Sequence, residues 1–253
     1  MYQSDLKGKI ALVSGGYRGI GETACSAFAK AGINVAIAAR NYNLCKQKTD
    51  SLKSDYGIET LALQMDVSDT ESVKNGVNKV KETLGRIDIL VNAAGISGVQ
   101  KPAVELIESE FDEVFNVDFK GTFFVCKETA KLMIAQNAGK IINIASILGK
   151  IATPYMTGYC ASKAAVIHFS KVLALELIKH NIQVNVICPG YFLTDINKAF
   201  FETQKGKQYI NERIPIKRLG NVEELESTFL YLAAAPAFLT GTEIIIDGAQ
   251  TII

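Results

Sequence analysis

Apolar runs of strand length alternate with longer stretches of helical patterning along the whole chain. Seven runs predict strands: Lys9 to Gly15, Asn34 to Arg40, Thr60 to Val67, Ile87 to Gly95, Lys140 to Ser146, Ile182 to Cys188 and Glu243 to Gly248. Most are continuous rather than strictly alternating, as expected of strands covered on both faces. The segments between them, such as ETACSAFAKAG with its closing glycine suited to a C-cap, predict helices. Such alternation implies an α/β fold, a doubly wound parallel sheet with helices on both faces. No linker, repeat or low-complexity segment interrupts it, so residues 1–253 are expected to form one domain. Residues 191–217 break the rhythm just past a strand end and mix aromatics with charges, which predicts a helical insertion or lid.

Composition narrows the function classes. With 253 residues, 48% hydrophobic and 21% charged, the chain is ordinary for a globular protein. A chain of this length buries about 70–75% of its unfolded surface, so its core needs no staples. Net charge is +1 with Lys and Arg dispersed, which argues against nucleic acid or an anionic membrane surface as partner. Five separated cysteines (Cys25, Cys45, Cys126, Cys160, Cys188) without a CxxC pair read as reduced thiols and predict a cytoplasmic protein. The polar start, MYQSDLKGK, shows no signal peptide, and no apolar run approaches the ~20 residues needed to span a bilayer. The two histidines, His168 and His180, are too few and too isolated for a zinc site, so no metal is expected. His168 lies in an apolar helical stretch and is read as packing.

Candidate chemistry begins where the first strand meets its helix. Ser14 to Gly21 reads SGGYRGIG, a GxxxGxG spacing. Glycines there allow a tight turn and let a pyrophosphate approach the backbone at a helix N-terminus, where free N–H groups attract anions. A glycine-rich turn by itself is weak evidence, but its place between strand one and helix one strengthens it. At the end of strand two, where an NAD enzyme usually carries a carboxylate for the ribose, stand Arg40 and Asn41. A guanidinium favours the additional phosphate of NADP(H) and leaves NAD(H) possible, with Arg18 as a second clamp. As a bare strand end, Arg40 is simply solvated. Asp66 and Val67 close strand three and can serve an adenine ring, while Asn92, Ala93, Ala94 and Gly95 close strand four with small residues. Each of these pairs also reads as an ordinary turn.

A further motif, YCASK, sets Tyr159 four residues before Lys163, on one face of a helix. A nearby ammonium favours the phenolate and lowers a tyrosine's pKa from ~10, which makes the pair a tuned general acid and base. The same spacing also suits a surface tyrosine beside a solvated lysine.

With the glycine turn, NAAG and YCASK in this order, the chain resembles the classical short-chain dehydrogenase/reductase family over nearly its whole length. Two positions depart mildly from the family's TGxxxGxG and NNAG patterns: Ser14 stands for Thr and Ala93 for Asn. The resemblance implies a Rossmann-type fold of about seven strands. It also implies a catalytic set of Asn116 in FNVDFKG, Ser146 in NIASILG, Tyr159 and Lys163. On it, Gly15, Tyr17, Arg18, Gly19, Ile20 and Gly21 hold the dinucleotide, Tyr159 and Lys163 touch it, and Pro189, Gly190 and Thr194 contact the nicotinamide. Tyr159 then exchanges the proton, Lys163 lowers its pKa, Ser146 binds the substrate oxygen and Asn116 holds a relaying water. Substrate-lining candidates are Ser97, Ser146, Leu148, Tyr155, Met156, Tyr159, Tyr191 and Phe192.

The implied activity is interconversion of a small-molecule carbonyl and an alcohol. A 3-oxoacyl carrier-protein reductase is the alternative substrate reading, and a non-catalytic NADP(H) sensor the alternative of another class. Asn137 and His180 occupy the places where carrier-protein reductases usually present basic residues, which counts against the first alternative. A homotetramer or dimer is implied too, through helices near Glu108 to Gln136 and Met156 to His180, rich in apolar residues such as Phe119, Phe123, Phe124 and Phe169.

Overall fold

The structure is a computed structural model that describes residues 6–194 and 197–252. Seven strands, β1 (Ile10–Ser14), β2 (Asn34–Ala39), β3 (Thr60–Gln64), β4 (Ile89–Asn92), β5 (Gly139–Ile144), β6 (Ile182–Pro189) and β7 (Glu243–Ile246), form one all-parallel sheet in the order β3-β2-β1-β4-β5-β6-β7. Each predicted run is a strand. β3 and β4 end three residues short of the predicted ends because Met65 to Val67 and Ala93 to Gly95 turn out of the sheet at its carboxyl edge.

The principal helices are α1 (Gly19–Lys30), α2 (Tyr42–Tyr56), α3 (Thr70–Leu84), α4 (Glu108–Phe115), α5 (Gly121–Gln136), α6 (Thr157–Leu177), α7 (Lys198–Phe201), α8 (Gln204–Arg213) and α9 (Glu226–Ala234). Side chains of β1 alternate between two cores. Ala11 and Val13 pack with Phe28 of α1, Leu52 of α2 and Phe229 of α9, whereas Ile10 and Leu12 pack with Val77 of α3, Met133 of α5 and Leu173 of α6. Local signals fix the ends of several helices. Asp69 accepts from the backbone N–H of Glu71 and Ser72 at the start of α3, and Gly57, in the left-handed region at φ +66°, closes α2.

A buried polar chain fixes the middle of the sheet. The Ser14 hydroxyl faces Asn92 Oδ1 at 3.5 Å, Asn92 Nδ2 donates to Asn143 Oδ1 at 2.9 Å, and Asn143 Nδ2 donates to the Ser170 hydroxyl at 2.8 Å. Buried polar groups are tolerated when their bonds are made, and these join β1, β4, β5 and α6 in one register.

One sequence expectation is corrected here. His168 is exposed, not packed. Helix α6 is apolar nearly all round; its inner face carries Val166, Ile167, Leu173 and Ala174, and His168 shares the outer side with Val172 and the 78% exposed Leu175. No helix among the described residues is long and apolar enough to cross a membrane.

Candidate active site

Every crossover in the sheet leaves the carboxyl ends of the strands on one edge, and the order in which strands are added reverses between β1 and β4. Open α/β sheets bind ligands at that switch point. A cavity of about 990 Å³ lies there. It is lined by residues following all of β1 to β6: Gly15, Arg40, Asp66, Ala93, Ser146 and Gly190 among them.

Two glycines shape the phosphate end. Gly15 has φ +70°, and a Cβ placed on it would meet the Ala94 backbone at 2.9 Å. On Gly21 a Cβ would come within 2.4 Å of the Gly15 carbonyl oxygen. The turn therefore folds back on itself only without side chains, which leaves the first turn of α1 free of any side-chain cap. Those N–H groups suit a phosphate. Tyr17, Arg18, Gly19 and Ile20 line the same end, as do Asn41, Val67, Ala94, Gly95 and Thr194. Asn41 also caps α2, its Oδ1 accepting from the Leu44 N–H at 3.2 Å. Arg40 is exposed and lines an adjoining recess with Gln64, Asp66, Ser72 and Asn75. Burial raises the Asp66 pKa, but bonds from the Ser68 hydroxyl and N–H, and the charge of Arg40, hold it below the ordinary value.

The opposite end carries the Tyr159 pair. Ser146 leaves β5 in extended conformation, is 8% exposed, and its hydroxyl accepts from the Leu148 N–H at 3.1 Å. Tyr159 and Lys163 project from the first two turns of α6, with Lys163 Nζ 5.5 Å from the centre of the Tyr159 ring. Lys163 is 5% exposed, and its ammonium donates to the Ile144 carbonyl oxygen at 3.3 Å. The expected lowering of the Tyr159 pKa is not the net result. Burial raises it; Lys163 and a bond from Ser146 pull it down, Asp118 and Cys160 push it up, and the sum lies above the ordinary tyrosine value.

Asp118 corrects a second expectation. Between α4 and α5, residues Asn116–Lys120 adopt a π-helical turn, a local widening frequent at functional sites. The residue this turn directs at Lys163 is Asp118, two places beyond Asn116. Asp118 is fully buried, accepts from the Ile96 N–H through Oδ1 at 2.8 Å, and sets Oδ2 3.1 Å from Lys163 Nζ. Asn116 does not line the cavity. Sequence reading took the asparagine because it is the expected residue type; residues two apart on a helix point to roughly opposite sides of its axis.

Of the substrate-side candidates, Ser97, Leu148, Met156, Tyr191 and Phe192 line the cavity. Tyr155 does not: it is 56% exposed with φ +68°, and its carbonyl oxygen accepts from the Lys101 N–H. Asn92 is likewise absent from the wall, because the polar chain of the sheet consumes its amide. Sequence reading passed over Phe201 and Tyr209, which α7 and α8 bring over the opening; both rings lie 5.4 Å from Tyr191. Only the unusual aromatic content of the 191–217 segment hinted at them. Of that segment, residues 195 and 196 lie outside the described residues. Among the described residues no group of acidic, cysteine or histidine side chains could hold a metal.

Comparison with known proteins adds independent findings. A family model described as short chain dehydrogenase matches residues 9–205. The chain is 33% identical over 251 residues to a gluconate 5-dehydrogenase of Gluconobacter oxydans, covering 98% of this chain and 96% of that protein. It is 36% identical over 253 residues to a 3-oxoacyl acyl-carrier-protein reductase of Thermotoga maritima, covering 98% and 99%. Among solved structures, a short-chain type dehydrogenase/reductase from Mycobacterium marinum superposes with a TM-score of 0.92 at 35% identity, over 98% of this chain and 97% of that one.

Proposed function

The chain belongs to the short-chain dehydrogenase family and is an oxidoreductase, and from that premise we propose that it interconverts a small-molecule carbonyl and a secondary alcohol, with Tyr159 as general acid and base. The observation that carries this reading is the convergence of Ser146, Tyr159 and Lys163 in one cavity with the glycine turn. A nicotinamide dinucleotide, when bound, supplies or accepts the hydride. The turn fits it, since a Cβ at Gly15 or Gly21 would collide with backbone that a pyrophosphate must approach. Gly15 to Gly21 would hold the phosphates, Asp66 and Val67 the adenine, Ala93 to Gly95 the middle, and Lys163, Pro189, Gly190 and Thr194 the nicotinamide end. Arg40 supports a preference for NADP(H), because its exposed guanidinium borders a recess of about 450 Å³ suited to one more phosphate.

The protein's own groups do the rest. In reduction the Tyr159 hydroxyl gives its proton to the substrate oxygen, and the Ser146 hydroxyl donates a hydrogen bond to that oxygen as charge develops on it. In oxidation the phenolate takes the proton back. Leu148, Met156, Tyr191 and Tyr209 form a wall that is largely apolar with two phenol hydroxyls, 3.4 Å apart.

A carrier-protein thioester remains a second reading, favoured by the similarity to the Thermotoga maritima reductase. Lys140, one of the cations near the region where a carrier would dock, instead turns inward to the Ala235 carbonyl oxygen at 2.5 Å. A homotetramer or dimer through the outer faces of α5 and α6, and residence in the cytoplasm with five free thiols, belong to the same reading.

The test is NADPH and NADH consumption against acetoacetyl thioesters, ketoses, keto-sugar acids, ketones and diketones. Turnover of one class, with Tyr159→Phe reduced by about a hundredfold to ten-thousandfold, is the expected outcome. No turnover in either direction while NADPH still binds would reject the enzyme reading in favour of a sensor.

A further inference from the structure

The lysine of the pair is not alone with its tyrosine. Asp118 is wholly buried, and Oδ2 has no hydrogen-bond partner of good alignment; it faces the Lys163 ammonium at 3.1 Å. Oδ1 is held by the Ile96 N–H, so the carboxylate is aimed rather than loose. Gly95 sits beside both groups; a Cβ there would lie 3.3 Å from Asp118 Oδ1 and 3.3 Å from Lys163 Nζ. A buried charge needs a partner, and this one lies behind the cavity wall, against the Lys163 that lines it.

We propose that Asp118 is a positioning residue of the catalytic pair: its carboxylate holds the Lys163 ammonium and offsets the charge that ammonium would otherwise offer Tyr159, so the phenol stays a proton donor and the site is set for carbonyl reduction. This rests on the oxidoreductase reading above. In that direction the hydride reaching the carbonyl carbon would come from a bound reduced dinucleotide; as the π electrons of the C=O bond pass to oxygen, the Tyr159 O–H bond breaks to protonate it. An amide at position 118 would keep the Ile96 bond and lack the charge.

The groups facing the pair come from several elements. From α6 they are Lys163, Tyr159 and Cys160; from the π turn, Asp118; from the end of β5, the neutral Ser146; from β6, Cys188; and just beyond it, Tyr191. Burial opposes the charged form of both Tyr159 and Lys163. For Lys163 the attraction of Asp118 and Tyr159 more than offsets burial, and its pKa lies above the ordinary value. Cys188 is pushed up to about 12, first by burial and then by Glu243, so it is a neutral thiol. Asp118 is therefore the carboxylate that decides how much of the lysine's charge the tyrosine feels.

The experiment is a pH titration of the full chain by NMR of ¹³Cζ-labelled tyrosine, with Tyr159 assigned by its loss in Tyr159→Phe. In the unmutated protein Tyr159 is expected to stay protonated beyond free tyrosine's ~10, up to the alkaline limit of the fold. In Asp118→Asn its ionisation is expected at least about tenfold more readily, a downward move of about one pH unit. A Tyr159 that ionises below ~10 in the unmutated protein overturns the proposal, and that arm needs no variant to fold. An Asp118→Asn protein that folds with unchanged or higher Tyr159 ionisation overturns it too, since a merely structural carboxylate would leave the titration alone. Neither arm uses substrate or dinucleotide, so a failed titration and an absent oxidoreductase activity are separate results.

Discussion

Tyr159 and Lys163 are one helical turn apart, and that spacing alone makes them neighbours. Their environment is set by residues far away in sequence, above all Asp118 from the π turn and Ser146 from the end of β5. The two ends of the cavity are governed by single side chains in the same way. Arg40 meets solvent and the recess beside Asp66, so replacing its charge is expected to act on cofactor choice rather than on folding. Arg40→Asp should lower affinity for NADPH relative to NADH by about tenfold or more, the worth of one charge-assisted hydrogen bond. Titrating each dinucleotide against the variant by calorimetry checks this; an unchanged preference would place the extra phosphate elsewhere.

Among the elements, the helices that flank the sheet divide the work. Helices α1 and α9 meet through Phe28 and Phe229, both fully buried with ring centres 6.2 Å apart at 76°. Phe229→Ala should destabilise the fold by about 3–5 kcal/mol through lost burial and the cavity left behind. Denaturant unfolding measures it, and a loss under about 1 kcal/mol would mean that the core closes around the gap. Asp69 stands at the start of α3 and bonds two backbone N–H groups, so Asp69→Ala should cost about 1 kcal/mol in the same assay. The π turn is an element the hydrophobic pattern does not announce. The sequence from Glu108 to Gln136 reads as one helix, and a single widened turn inside it leaves no signal in the hydrophobic pattern. That turn nonetheless decides which of Asn116 and Asp118 faces the lysine.

At the scale of the whole molecule, the outer faces of α5 and α6 expose Phe123, Ile134, Val172 and Leu175. In the proposed assembly these side chains would be covered by a second copy of the chain. Light scattering is expected to give a tetramer or dimer, and Leu175→Glu to shift the population toward smaller species. A monomer at working concentration, unaffected by Leu175→Glu, would remove assembly from the functional reading.

The sequence by itself determined the seven strands, the parallel doubly wound arrangement and the positions of Gly15 to Gly21, Ser146, Tyr159 and Lys163. The strands follow from local periodicity, the glycine turn and the Tyr159–Lys163 pair from motifs whose members lie within a turn or two of one another, and Ser146 from the family resemblance. Only the tertiary structure decided the rest. It set Asp118 against Lys163, drew Asn92 into the sheet interior, left Tyr155 and His168 in solvent, and closed the cavity with Phe201 and Tyr209. Each of these depends on which way a side chain points once a helix has been widened, capped or packed. That is a property of contacts between distant segments, which no window along the chain contains.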